Sequence, residues 1–143
     1  MFGGNDAQGI VGPDGQVFGQ VDSPGWRKEY GRRVAAVMDS LQTRDRVIFW
    51  VSQPPMRDDD FARRTAVINE VVAEQAADRR WVVFVDTSEV LGGPDGGYVD
   101  RLPGIDADLR QADGIHLSRA GADLLARHLL ARIADELARS TDR

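Results

Sequence analysis

The sequence contains no cysteine. That absence excludes disulfides, zinc–thiolate sites and thiol nucleophiles, and it leaves the compartment open. Histidine is scarce: His116 and His128 are the two candidates for any chemistry that needs an imidazole. No apolar run approaches the roughly 18 residues of a membrane span, and no charged segment followed by an apolar one opens the chain as an export signal does. Basic charge is in deficit, with 18 Lys and Arg against 23 Asp and Glu and a net charge of −5. The cations are also scattered, which argues against a nucleic-acid partner, because neutralising phosphates takes clustered Lys and Arg. What is present is 143 residues with 42% hydrophobic content, enough for the core of one domain over residues 1–143. No internal repeat or low-complexity tract interrupts it.

Residues 3–22 are rich in Gly, Asp, Gln and Asn and read as an irregular loop, with short apolar pairs at Ile10–Val11 and Val17–Phe18. At Ser23–Pro24 the pattern changes to a capping hydroxyl and a proline at the first helical position. Trp26, Tyr30, Val34, Val37 and Leu41 follow at helical spacing, predicting a helix over 24–42. The apolar run Val47–Val51, stopped by Pro54 and Pro55, predicts a strand buried on both faces. Asp58, Asp59 and Asp60 suit a helix N-terminus. Phe61, Thr65, Ile68, Val72 and Ala76 then line one face through about residue 79. WVVFVD at 81–86 is a second buried strand, and a Gly/Pro/Asp-rich loop follows over 91–116. Ser118 caps a last helix with Leu125, Leu129, Ile133 and Leu137 facing inward. This order is that of an α/β protein, a parallel sheet with covering helices. Two strands cannot cover three amphipathic helices, so the sheet reads as incomplete, with edges open to self-association.

Two stretches are candidates for chemistry. GGND at 3–6 is a tight polar turn able to aim N–H groups at a ligand. In RQADGIHLSRAG, Asp113 precedes His116 by three residues, Gly114 permits a turn between them, and a capped helix begins two residues later. An aspartate so placed can accept from one imidazole nitrogen and leave the other free as a general base; the competing reading is a helix-capping loop with a surface histidine. His128, beside Arg127 in the last helix, reads as a solvated or half-buried helix residue. Nothing in the sequence calls for a cofactor, and Asp6 with Asp113 offers too few oxygen ligands for a metal.

Taken together, GGND and DGIHLSRAG resemble two sequence blocks of the SGNH hydrolases, serine esterases and acyl-transfer enzymes of flavodoxin-like α/β fold. More narrowly, the chain is similar to a bacterial branch of domains of unknown function. The likeness runs through Trp26, Tyr30 and Arg33, WVSQPPMR at 50–57, VDT at 85–87 and DGIHLSRAG at 113–121. The resemblance implies that Asn5 supplies an oxyanion-hole amide on a turn shaped by Gly3 and Gly4, and that Asp113 and His116 are the acid and base of a triad. It implies hydrolysis or transfer of a small acyl ester, for instance acetyl on a cell-envelope glycan. Asp6, Trp26 and Pro54 are the pocket candidates, with Tyr30 and Trp50 as further aromatics that a core would equally claim. Asp86 either touches the site or caps a turn.

The family's G-D-S nucleophile block is absent, as is the glycine donor that follows its second strand. Asp39–Ser40 and Asp22–Ser23 mimic the motif without its glycine or its preceding strand, and Ser52, Ser88, Ser118 and Ser140 have no elbow-like context. The expectation is therefore a partial flavodoxin-like sheet, the C-terminal portion of an SGNH domain. Met1 and Phe2 would be the last residues of its third strand, and the parent would be exported or membrane-anchored. The alternatives are a non-catalytic binding module and a half-domain that completes its sheet by dimerising.

Overall fold

The computed structural model describes residues 3–141; Met1 and Phe2, read above as a strand end, lie outside the described residues. The protein is mixed α/β, and the chain divides into two compact units, Met1–Gln53 with Asp58–Asp86 and Pro54–Arg57 with Thr87–Arg143.

In the first unit a 3-10 turn at Gly4–Asp6 leads into β1 (Ile10–Val11) and β2 (Val17–Gly19), an antiparallel pair in which Ile10 faces Gly19 and Val11 faces Val17. This corrects the expectation of an irregular loop. The two apolar pairs are too short to show a period, but Gly12-Pro13-Asp14-Gly15 closes a turn between them. Gly12 N–H donates to the Gln16 carbonyl at 2.7 Å, and Gly15 takes φ +82, a conformation that favours glycine.

Helix α1 (Pro24–Ser40) starts where the Ser23 hydroxyl accepts the Trp26 N–H at 3.3 Å, and α2 (Asp59–Ala77) where the Asp58 carboxylate accepts that of Phe61 at 2.7 Å. Between and after them run β3 (Ile48–Val51) and β4 (Val82–Val85), paired in parallel with Ile48 opposite Val82 and Val51 opposite Val85. The core joins Trp26, Tyr30, Val34 and Met38 of α1 to Ile68, Val71, Val72 and Ala76 of α2, with Trp50 and Val82 beneath. Only half of the strand residues are buried on the scale expected: Trp50, Val51, Val82 and Val85 are buried, while Ile48, Phe49, Val83 and Phe84 keep partial exposure. A two-stranded sheet lacks the flanking strands that would bury its whole length.

The strand end at Gln53 is clamped from α2. The Asn69 carboxamide accepts the Gln53 N–H at 2.8 Å and donates to its carbonyl at 2.9 Å.

The second unit holds the short α3 (Ser88–Leu91) and the long α4 (Arg119–Thr141). The loop between them is tied by single bridges pairing Gly92 with Tyr98 and Arg110 with Leu117. Leu91, Leu109 and Leu125 are buried here. Ser118 caps α4 by accepting the Gly121 N–H at 3.2 Å. Burial then fades along α4, and Leu137, expected to face inward, is 64% exposed. The elements of this unit that α4 packs on are a four-residue helix and loop, too short to line 23 residues. Among the described residues no helix is long and apolar enough to cross a membrane.

Candidate functional site

Asp113 and His116 meet in the second unit. Gln111 accepts the Gly114 N–H at 2.9 Å, closing a turn, and Gly114 takes φ +71. One carboxylate oxygen of Asp113 accepts the backbone N–H groups of Ile115 at 2.8 Å and His116 at 3.0 Å. Its other oxygen lies 2.7 Å from His116 Nδ1. The aspartate therefore both shapes its own loop and orients the ring. Bonding to the His116 ring first, then to the two backbone N–H groups, holds the Asp113 carboxyl down at about 2. With the proton on Nδ1, Nε2 is left as a bare acceptor on a side chain that is 72% exposed. The loop's far side is anchored by the Gln111 N–H to the His116 carbonyl at 2.8 Å and by the Ser118 N–H to the Leu109 carbonyl at 3.0 Å.

Around this loop lie residues the motif reading passed over. Arg57 reaches Asp100 at 2.9 Å, and the Tyr98 hydroxyl donates to the same carboxylate oxygen at 2.7 Å. The guanidinium carbons of Arg57 and Arg110 stand 5.3 and 5.9 Å from the Tyr98 ring centroid. Arg110 is 3% exposed, and its Nη2 donates to the Pro55 carbonyl at 3.1 Å. Its Nε and Nη1 find no acceptor among the described residues, and burial pushes its pKa below the usual range. Arg57 ends the WVSQPPMR stretch and Arg110 opens RQADGIHLSRAG, but neither spacing marks its role, and Tyr98 and Asp100 carry no local signal. Pro54, the pocket candidate of this unit, is buried.

The GGND turn belongs to the first unit. Asp6 N–H donates to the Gly3 carbonyl at 2.9 Å, and Gly3 takes φ +109. A Cβ at Gly3 would meet the Asp6 carboxylate and the Tyr30 hydroxyl at 3.4 Å, ordinary contacts, so it is the positive φ that favours glycine there. Gly4 lies against the Gln53 side chain. Asn5 is exposed; its backbone carbonyl accepts from Gln8 Nε2 at 2.8 Å, while its own carboxamide makes no hydrogen bond among the described residues. Asp6 accepts from the Tyr30 hydroxyl at 3.0 Å, and burial, then the carboxylate, pushes the Tyr30 phenol well above its usual range. Asp6, Gln8, Ile10, Tyr30 and Arg33 help line a cavity of about 190 Å³.

Trp26 is 0% exposed, stacks on Tyr30 at 4.6 Å and donates Nε1 to the Gln8 carbonyl at 2.8 Å. A ring without accessible surface supports the turn and offers no face to a ligand. Trp50 likewise packs in the core, whereas Asp86 is exposed. His128 is half-buried, with Nε2 3.7 Å from Glu89. Among the described residues no three His, Cys, Asp or Glu side chains gather as a metal site would require.

These features define a mixed α/β protein with a small parallel sheet, flanking helices and an oriented Asp–His pair on the loop entering its last helix. By sequence the chain belongs to the family described as protein of unknown function (DUF459), whose profile matches residues 1–132. No curated protein matches it.

Proposed function

We propose that this chain carries the acid–base part of an SGNH-type acyl-ester hydrolase or acyltransferase on a flavodoxin-like sheet, and that its nucleophilic serine comes from a segment outside these 143 residues. The observation that carries the reading is the Asp113–His116 pair, with Nδ1 tied to the carboxylate at 2.7 Å on a histidine whose side chain is 72% exposed. In this scheme His116 takes the proton of the serine hydroxyl as its oxygen bonds to the acyl carbon, and Asp113 stabilises the imidazolium that forms. His116 returns that proton to the leaving alkoxide as the ester C–O bond breaks. Water or an acceptor hydroxyl then repeats the sequence on the acyl-serine. Asn5 is assigned the amide donor to the oxyanion, on a turn shaped by Gly3 and Gly4; its carboxamide, without a hydrogen bond among the described residues, supports that role. The substrate class is a small acyl ester or an acylated glycan.

The test is to express these residues joined to the coding segment that precedes them in frame and to assay hydrolysis of p-nitrophenyl acetate. A G-D-S block should lie in that segment. His116→Ala should lower turnover by about 10⁴-fold and Asn5→Ala by about 10²-fold, the base acting on the nucleophile directly while the amide is one of several donors. The 143 residues alone should give no turnover sensitive to Ser40→Ala. Full activity in the His116→Ala protein refutes the proposal. The missing serine block also favours a second reading, a non-catalytic binding module, which predicts an in-frame stop before codon 1 and no turnover in any form.

A further inference from the structure

We propose that Arg57 is the positioning residue of the Asp113–His116 pair, gripping the carbonyls on either side of Asp113 so that its carboxylate stays aimed at the imidazole. The proposal rests on the reading of that pair as an acid–base unit. Arg57 Nη1 donates to the Ala112 carbonyl at 2.8 Å, and the Arg57 backbone N–H donates to the Gly114 carbonyl at 3.3 Å. Asp113 is the residue between those two acceptors. One residue, 56 positions upstream, thus fixes both ends of the short arc that presents the carboxylate. The contact is also steric: a Cβ at Gly114 would sit 2.6 Å from Arg57 Cβ and 2.9 Å from Nε, so the turn lies flat against the arginine only because residue 114 is glycine.

The guanidinium is itself held from behind. Nη2 bonds to Asp100 at 2.9 Å, the Tyr98 hydroxyl bonds to the same oxygen at 2.7 Å, and the Tyr98 ring lies under the guanidinium. A planar fork with donors in two directions can serve Ala112 and Asp100 at once, which the single ammonium of lysine cannot do in the same geometry. The two backbone N–H bonds and the ring bond that hold Asp113 all depend on where that arc sits, so loosening Arg57 weakens the three together.

The experiment is a carbon-13 NMR titration of the Asp113 carboxyl in the 143-residue chain, with the His116 Nδ1–H resonance observed in parallel. Wild type, Arg57→Met and Arg57→Lys are compared, with amide spectra and melting curves as the check on folding. Wild type should titrate at about 2. Arg57→Met should raise the midpoint by about one pH unit and broaden or abolish the Nδ1–H signal. Arg57→Lys keeps the charge and removes the fork, and should raise the midpoint as well. A folded Arg57→Met protein with an unmoved midpoint overturns the proposal, as does a rise in the Met variant alone, which would be an effect of charge. Lower melting with an unmoved midpoint means a merely structural arginine and overturns it too. If Arg57→Met does not fold, the lysine variant decides by the same criterion. No substrate enters this titration, so its failure leaves the hydrolase reading standing. Conversely, full activity of His116→Ala in the joined protein leaves the Arg57 result standing.

Discussion

Gly121→Ala pits two effects of opposite sign against each other. Alanine in a helix is favoured over glycine by up to about 1 kcal/mol, so an unobstructed helical glycine gains from the change. Gly121 is obstructed: in the first turn of α4, a Cβ there would lie 2.1 Å from the Leu109 carbonyl oxygen and 3.0 Å from its carbon. Resting contacts of carbon are roughly 3.5 Å, so the helix and residue 109 must part by more than an ångström. Leu109 is in no position to yield. It is fully buried, its N–H donates to the Asp100 carbonyl at 2.8 Å, and its carbonyl accepts the Ser118 N–H at 3.0 Å. A backbone clash this deep falls in the upper part, about 2–3 kcal/mol, of the range for overpacking, which reverses the propensity gain and leaves a net loss of roughly 1–2 kcal/mol. For a chain of this size the melting temperature should fall by roughly 3–8 °C. Gly31→Ala is the matched control. Its Cβ in α1 would meet Gln75 Nε2 at 3.4 Å and Val71 Cγ1 at 3.5 Å, ordinary contacts, so it should gain roughly 0.5–1 kcal/mol. Urea denaturation of both variants measures the difference. A Gly121→Ala protein as stable as wild type, or more so, would refute the argument that close approach, not helix geometry, requires glycine there.

Arg110→Met should leave stability unchanged or raise it, because the guanidinium is buried with two nitrogens, Nε and Nη1, unpaired among the described residues and with one bond to the Pro55 carbonyl; a loss above about 2 kcal/mol in denaturant would show that its remaining contacts outweigh desolvation. Glu29, held at about 2 by Arg32 and Arg33, and Asp113, also at about 2, have depressed folded-state values. Their stabilisation is present above the ordinary 4.5 and 3.8 and is lost as pH falls toward 2. Denaturation midpoints measured down that window should fall less steeply in Glu29→Gln, and an identical slope would remove Glu29 from the account. Trp26→Phe removes the Nε1 bond to the Gln8 carbonyl from a fully buried site and should cost about 1–3 kcal/mol in urea denaturation. A cost near zero would mean that the ring alone supports the turn.

Helices α1 and α2 are legible because their start signals are local. Ser23 with Pro24, and Asp58 before two further aspartates, announce the caps within a few residues, and the apolar faces then count themselves out. The strands are legible as continuous apolar runs. The β1–β2 pair is not, since two-residue strands carry no period and only the Gly12–Gly15 turn marks them. Leu137 misleads for a related reason: helical spacing states which face a residue occupies but not whether anything covers it. The Asp113–His116 contact is readable because both partners sit within three residues on one turn. Arg57 and Asn69 hold backbone groups far from themselves in sequence, Arg57 by 55 residues and more, and no local pattern encodes such a reach.

The Asn69 clamp has a bearing on how long a strand the sheet can accept. In the parallel pair, Ile48 and Ser52 send their N–H groups toward β4, to Trp81 and Val85. The alternate residues Phe49, Val51 and Gln53 therefore present their peptide groups to the opposite edge. At Gln53 both of those groups are already engaged by the Asn69 carboxamide, a side chain imitating one peptide of a neighbouring strand. Any segment that adds along this edge, from the same protein or another copy, can be stitched at Phe49 and Val51 and must leave the sheet before Gln53. The clamp acts as an end-stop, setting both the length and the alignment of whatever strand arrives.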